Sequence, residues 1–417
     1  MITEAHYWIF LAIAFAVVSL VPVRIRLQCI GLLSFVCLFF LLASVAPDAD
    51  MTSETHSLHL YKQNYYVIYW LTFWTFVFFY VPKIAALKKL PGSSLNMLLI
   101  GAIVSYLFYS KYIPEIVRTV AGATPDTRTL IPLGVSYFSF KLIHYLIENS
   151  RGRFQPHGFF QFWTYIFLFP IYTAGPIERF DNFQRNCLST DRRTDIIEGL
   201  TRIIYGLIKK FVISGVLLVG LLSSHTGDSV LSDLETIAHY KVWGFLLLNY
   251  LIIYLDFSAY SDIAIGSSRL LGIRIGENFN WPILATNITI LWKRWHMSLG
   301  NWCQSYIYMP AIGFSRNPYF AIFLTFLAIG LWHGGNYTWV AWGLYQGIGV
   351  VTYRIWSKST AGKYLADKRS WITNSLAIAM TNIWMAGSFA FTATYHTGSI
   401  SDVRDAFFIL GKCLFLI

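Results

Sequence analysis

Apolar runs close to 20 residues long recur along the chain, separated by short polar breaks. They fall at 7–23, 27–46, 65–82, 95–112, 129–147, 158–175, 205–222, 240–265, 318–333, 337–356, 371–393 and 403–417. A helix needs about 20 mainly apolar residues to cross the ~30 Å hydrocarbon layer of a bilayer. Lipid offers no hydrogen bonds, so each backbone N–H and C=O must be satisfied inside its own segment, as a helix does. The pattern predicts an all-α polytopic integral membrane protein with about 11 membrane or re-entrant helices. Composition agrees: 56% of residues are hydrophobic, mean hydropathy is +0.52 and only 13% are charged, where a soluble domain carries about 25%.

The first run does not read as a cleaved leader. It contains Glu4 and no basic residue ahead of its apolar stretch, and Arg24 and Arg26 follow it. Those are the flanks of a retained helix whose C-terminal end faces the cytoplasm. Residues 1–64 are expected to form an N-terminal transmembrane hairpin and 65–417 a catalytic core. Loop 24–26 is basic and loop 47–64 acidic, and loop 83–94 holds Lys83, Lys88 and Lys89. The positive-inside rule then puts both ends of the hairpin outside and loop 83–94 inside. Segment 176–204 mixes arginines with carboxylates, and charge does not assign its side.

The net charge of +11 is largely what cytoplasmic loops collect. Attraction of an anionic cytosolic substrate or of acidic head groups is the more specific reading. Two stretches stand out because their charges lie within apolar surroundings. LWKRWHMSLGNWCQSYIYMP, 291–310, carries Lys293, Arg294 and His296; YLDFSAYSDIAIGSSRLLG, 254–272, carries Asp256, Asp262 and Arg269. A charge facing lipid costs about 2.5–3.5 kcal/mol or more, so both stretches must be buried in protein, line a wet cavity or lie at an interface. The five cysteines form no CxxC pair and read as small apolar side chains. No HExxH or GxSxG motif occurs, and no spacing argues for a metal site.

Of ten histidines, His6, His56, His59, His157, His225, His239 and His396 lie in or beside polar loops and suit solvated or capping roles. His144 suits packing or hydrogen bonding. His296 and His333 sit in apolar context. An ionisable side chain at membrane depth is a functional candidate, and imidazole accepts a proton near neutral pH. In LWHGGNY, 331–337, Gly334 and Gly335 end the helix, leave room beside the ring and admit a substrate backbone or acyl chain. Asn336 follows, within reach of the same opening, to orient the imidazole or a substrate carbonyl. A bundle histidine bonded to a neighbouring helix is the plainer reading of His333, and the residues alone leave both open.

The stretches LGVSYFSFKLIHYLIENSRG (133–152), FPIYTAGPIERFDNF (169–183), YLDFSAYSDIAIGSSRLLGIRIGENFNWP (254–282), WKRWHMSLGNWCQSYIYMP (292–310) and LWHGGNYTWVAWGLYQG (331–347) occur in the order seen in membrane-bound O-acyltransferases. Over roughly 65–410 the chain resembles that family, and most of all its bacterial branch of alginate O-acetylation and teichoic-acid D-alanylation proteins. The resemblance implies a helical fold around a central tunnel, with a thioester donor entering from the cytoplasm and an acceptor hydroxyl from outside. His333 matches the family's catalytic histidine and His296 the second motif histidine. Asp256, Tyr260, Ser261, Asp262, Glu277, Asn278 and Asn280 match a polar block of the family, and Gly175, Pro176 and Arg179 match one of its loops; of these, Asp256, Tyr260, Asp262, Glu277, Asn278, Asn280 and Arg179 are the expected supporting polar residues. Where the family pattern has Arg-Asp after a tryptophan, Gln304 and Ser305 stand here, so that ion pair is missing. Longer alginate-type members continue with further helices past the point matching Ile417.

Acyl transfer on this pattern makes His333 the general base toward the acceptor hydroxyl. Asn336 or His296 stabilises the oxyanion. Lys293 and Arg294, with Trp292 and Trp295 beside them, form the donor-binding stretch that attracts the phosphates of coenzyme A or phosphopantetheine. Lys209 and Lys210 are lesser candidates there and suit inside-facing anchors better. Asp256 and Asp262, six residues apart, do not share one helix face and read as buried polar glue or histidine partners. No cofactor is expected to stay bound; acetyl-CoA or a phosphopantetheine carrier thioester is the expected donor substrate. Expected partners are membrane lipid, a polysaccharide acceptor, an extracytoplasmic acyl-handling protein and, in one version, an acyl carrier protein, with no nucleic acid. The expected location is the bacterial cytoplasmic membrane. D-alanyl transfer from a carrier protein is the alternative within the enzyme class, and a permease or flippase for a glycan or lipid-linked intermediate is the rival class.

Overall fold

A computed structural model describes residues 4–44, 54–89, 91–121, 134–225, 236–368, 370–393 and 400–414. Among the described residues the regular structure is helical throughout. In chain order the α-helices are α1 (Ala5–Leu20), α2 (Val23–Ser44), α3 (Glu54–Leu87), α4 (Gly92–Ala121), α5 (Val135–Ser150), α6 (Phe159–Phe167), α7 (Phe180–Asn186), α8 (Arg192–Leu207), α9 (Val219–His225) and α10 (His239–Leu270). They continue with α11 (Ile288–Arg294), α12 (Met297–Cys303), α13 (Met309–Ser315), α14 (Pro318–His333), α15 (Tyr337–Trp356), α16 (Thr360–Asp367), α17 (Trp371–Gly387), α18 (Phe389–Ala393) and α19 (Ile400–Cys413). Two π-helical runs, Ile208–Leu218 and Gln304–Tyr308, interrupt this order.

Six stretches are long and apolar enough to cross a membrane among the described residues: Val23–Phe40, Tyr66–Leu87, Gly92–Ile113, Arg192–Leu222, His239–Leu270 and Trp371–Ala393. Ala5–Leu20 and Pro318–His333 are shorter apolar helices. The expected all-α polytopic class is what is found. Particular runs differ. The expected span 158–175 is α-helical only to Phe167 and continues as a short 3-10 turn, Phe169–Ile171, because Pro170 cannot extend the α-helix. The span expected at 205–222 belongs to a longer helical run that starts at Arg192 and passes through the π segment. Glu54 begins α3, so the second half of the acidic 47–64 loop is helix; 45–53 lie outside the described residues. Residues 129–133 and 415–417, the ends of two expected spans, also lie outside them.

The contacts divide the chain into two units. The first gathers Met1–Ser110, Thr129–Gly206 and Tyr260–Gly276. Here α2 packs on α6 closely enough that Gly31 has no room for a side chain against Thr164, whose hydroxyl donates to the Leu27 carbonyl at 2.8 Å. The core is aromatic, with Phe162, Tyr165, Phe167, Phe180 and Phe183 buried. His144 has the hydrogen-bonding role expected of it: its Nε2 accepts the Phe180 N–H at 2.9 Å. Charges in this unit are paired. Buried Asp195 accepts from Arg274 Nε at 2.8 Å and faces Arg269 at 3.8 Å. Asp262 meets Arg202 at 2.7 Å. Buried Lys141 donates to the Tyr165 and Ile166 carbonyls at 3.0 and 3.3 Å, supplying partners to the end of α6.

The second unit gathers Lys111–Arg128, Leu207–Ala259 and Glu277–Ile417. Its centre is the antiparallel pair α14–α15. Asn317 caps α14, accepting from the N–H groups of Tyr319 and Phe320, and Pro318 takes the first helical position, where a missing N–H costs nothing. The two helices approach through glycines. A β-carbon on Gly330 would lie 2.4 Å from the Trp339 carbonyl oxygen, and one on Gly343 2.6 Å from that of Phe326. Around this pair, Tyr345 stacks on Trp384 of α17 at 4.2 Å. The Tyr250 hydroxyl of α10 donates to Asn382 Oδ1 at 3.0 Å.

Candidate active site

His333 is the last residue of α14. After it the backbone turns extended at Gly334, and Asn336 begins the next helix. The imidazole stacks on Trp339 at 4.5 Å with 15° between the planes, meets Trp342 edge-on at 5.3 Å and lies 4.7 Å from Trp332. Three indoles surround it, and the residue as a whole keeps exposed surface. Gly334 and Gly335 do end the helix, but the room they leave is filled by the protein itself. A β-carbon at Gly334 would stand 2.5 Å from Trp339 Cδ1, and one at Gly335 2.8 Å from Tyr112 Cδ1. The glycines therefore seat the stacking tryptophan and a tyrosine of α4 rather than a substrate backbone.

His296 stands at the break between α11 and α12, where the expected helix 291–310 is interrupted. Its backbone is left-handed, φ +44°, an uncommon and strained setting for a residue with a β-carbon. The break is stitched by Met297 N–H to the Asn278 carbonyl at 2.8 Å and Asn280 N–H to the Arg294 carbonyl at 2.9 Å. Asn278 Oδ1 accepts from Ser298 Oγ at 2.9 Å and from the Ser298 backbone N–H at 3.4 Å, and it faces His296 Nδ1 at 3.1 Å. A backbone N–H only donates, which identifies the shared Asn278 atom as oxygen. His296 Nδ1 therefore carries hydrogen, and the neutral ring presents its lone pair at Nε2. Phe257 meets the ring edge-on at 4.7 Å, and Trp332 lies 6.5 Å away. The two histidines thus flank one indole, that of Trp332.

Asn336 is buried and caps α15: its Oδ1 accepts from Trp339 N–H at 3.1 Å and Thr338 Oγ1 at 2.8 Å. With the oxygen so engaged, Nδ2 is its remaining donor. Trp292 is drawn toward the same cluster by packing, 5.9 Å from Trp342 and 5.0 Å from Phe326, with Nε1 donating to buried Gln346 at 3.3 Å. Trp295 is buried against Tyr250, Tyr254 and Phe279. Both indoles of the expected donor-binding stretch are thereby taken up in packing. Lys293 is exposed and Arg294 half-buried at the end of α11.

Asp256 pairs with Lys210 at 2.7 Å, and Lys209 donates to Ser258 at 2.9 Å, so these lysines hold α10 instead of serving as loop anchors. Asp256 and Asp262 each hold an ion pair, the polar-glue role expected of them. Asp262, Tyr260, which bonds Thr173, and Arg179, which pairs with Asp181 at 3.2 Å, belong to the first unit. Glu277 and Asn280 are exposed. Among the described residues no three His, Cys, Asp or Glu side chains gather as a metal site. Sequence reasoning passed over Trp332, Trp339, Trp342, Gln346, Lys111 and Tyr112. Only Lys111 carried a signal, a lysine inside an apolar run.

The family model described as MBOAT, membrane-bound O-acyltransferase family, matches residues 15–396. The chain belongs to the membrane-bound O-acyltransferase family. With its apolar helices, that makes it a multi-pass membrane protein. It is similar to a probable alginate O-acetylase AlgI of Pseudomonas aeruginosa, 33% identical over 269 residues, 61% of this chain and 48% of the relative. A teichoic acid D-alanyltransferase of Streptococcus thermophilus is 29% identical over 60% of this chain and 64% of its own length. A peptidoglycan O-acetyltransferase of Helicobacter pylori is 28% identical over 55% and 49%. The matches span about half the length of the alginate and peptidoglycan relatives.

Proposed function

We propose that the chain is an O-acyltransferase of the bacterial cytoplasmic membrane that moves an acyl group, acetyl by preference, from a cytoplasmic thioester to a hydroxyl of an extracytoplasmic polysaccharide. The observation that carries this reading is the His333 imidazole at a helix end, in a residue that keeps exposed surface, backed by tryptophans and facing a second histidine across Trp332. His333 takes the proton of the acceptor hydroxyl as its oxygen adds to the thioester carbon. The oxyanion that forms suits a fixed donor, and Asn336 Nδ2, held by its cap, is the group the geometry favours. The carbon–sulfur bond then breaks, and the thiolate recovers the proton from His333. His296, with Nε2 as acceptor, suits holding a hydroxyl or N–H of a reactant better than donating to an oxyanion. Acetyl-CoA is the donor this reading favours, with Lys293 and Arg294 as the cations for its phosphates. Relatives named teichoic acid D-alanyltransferase support a second version, D-alanyl transfer from a carrier protein.

The test is reconstitution in vesicles with acetyl-CoA, or with D-alanyl carrier protein, and a panel of alginate, teichoic acid and peptidoglycan fragments. Thioester consumption matched by ester formation is expected, and the donor consumed separates the two versions. Glycan transport without a new covalent bond would establish the permease reading instead. His333→Ala should leave an inserted, folded protein whose transfer rate is lower by about 10²–10⁴-fold. Near wild-type ester formation by that variant removes His333 as the base.

A further inference from the structure

Lys111 lies near the end of an apolar stretch of α4, Gly92–Ile113, where an ammonium needs a partner or a path to the interface. Its Nζ donates to the Trp332 carbonyl and stands 5.0 Å from the centre of the Trp332 ring. The next residue, Tyr112, donates its hydroxyl to the Leu331 carbonyl at 2.6 Å. Its ring occupies the space that Gly335 leaves open. These carbonyls belong to the last turn of α14, whose final C=O groups have no partner within the helix. A cation there also complements the negative end of the helix dipole.

Two neighbouring side chains thus take two successive carbonyls, and the second of those carbonyls is joined by its peptide bond to His333. On the opposite side Trp339 holds the ring by stacking. We propose that Lys111 is a positioning residue for acyl transfer, clamping the last turn of α14 together with Tyr112 so that the His333 imidazole is held at one place. The proposal rests on the reading of His333 as the base. It adds what fixes that base, since a misplacement of about 1 Å at a reacting group can cost about 100-fold in rate.

The experiment uses the full chain in vesicles, with Lys111→Met, Lys111→Arg, Tyr112→Phe and His333→Gln. One readout is turnover with acetyl-CoA. The other is the rate at which diethyl pyrocarbonate modifies His333, followed by mass spectrometry, with exposed His6 as internal reference. Lys111→Met is expected to lower kcat about tenfold with the KM for acetyl-CoA within about twofold, and to speed His333 modification at least about threefold relative to His6. Lys111→Arg should restore most of both, and Tyr112→Phe should shift both the same way by a smaller factor. If Lys111→Met does not fold, Tyr112→Phe and Lys111→Arg decide. Wild-type modification rates in the folded variants, or a loss confined to KM, overturns the proposal. Activity retained by His333→Gln instead overturns the base assignment, while the modification rates still report on the clamp.

Discussion

The two units hold their notable polar groups by different means, the Asp256–Lys210 pair of the second apart. In the first, carboxylates meet arginines: Asp195 lies with Arg269 and Arg274, and Asp262 with Arg202. Every such contact neutralises a charge, and the product is a fixed scaffold. In the second, two imidazoles are wrapped by rings of Trp332, Trp339, Trp342 and Phe257. Aromatic walls hold an imidazole by packing and add no charge beside it, whereas a carboxylate partner would pair with it. Salt bridges brace the first unit, and aromatic rings brace the two histidines of the second.

Four variants press on that contrast. Asp195→Ala removes the buried carboxylate and leaves two arginines facing each other. The cost expected is ~3 kcal/mol, the low end for a broken buried pair because both guanidiniums are partly exposed. Thermal unfolding in detergent measures it, and a loss below about 1 kcal/mol would make the pairing ornamental. Gly330→Ala forces a methyl against the Trp339 carbonyl, with an expected cost of about 2 kcal/mol from overpacking; an unchanged melting temperature would show that α14 and α15 separate freely. Asn278→Ala should spare stability more than rate, because it frees the His296 tautomer. A fall of about tenfold in kcat, ~1.4 kcal/mol, is expected, and a purely structural Asn278 would give lower yield at full specific activity. Smallest is the double change Lys293→Ala/Arg294→Ala, worth about 0.2–1 kcal/mol in all in acetyl-CoA affinity at low salt. Affinity that is unmoved at low salt removes both from the donor site.

Much of this was legible in the sequence, and for identifiable reasons. Helix ends written in cap chemistry, such as Asn317-Pro318 and Asn336, gave 318–333 and 337–356 their observed bounds. His296 and His333 stood out because an imidazole in an apolar run has few structural excuses. The segment 158–175 misled because hydropathy counts its loop residues as readily as helical ones. Asn336 was legible as a polar group near the opening but not as a cap whose oxygen is already spent. The clamp was out of reach: Lys111 and Trp332 lie 221 positions apart, and no local pattern joins a lysine to a distant carbonyl. Trp292 and Trp295 read as a donor platform because they flank the cations, yet helix position turns one toward Gln346 and the other into the Tyr250 cluster.

The glycine contacts between α14 and α15 have a mechanical meaning. Backbones that touch through Gly330 and Gly343 leave no slack for one helix to piston along the other. His333 is then a stationary post, and any alternation between the two faces of the bilayer must be performed by reactants and their approaches coming to it.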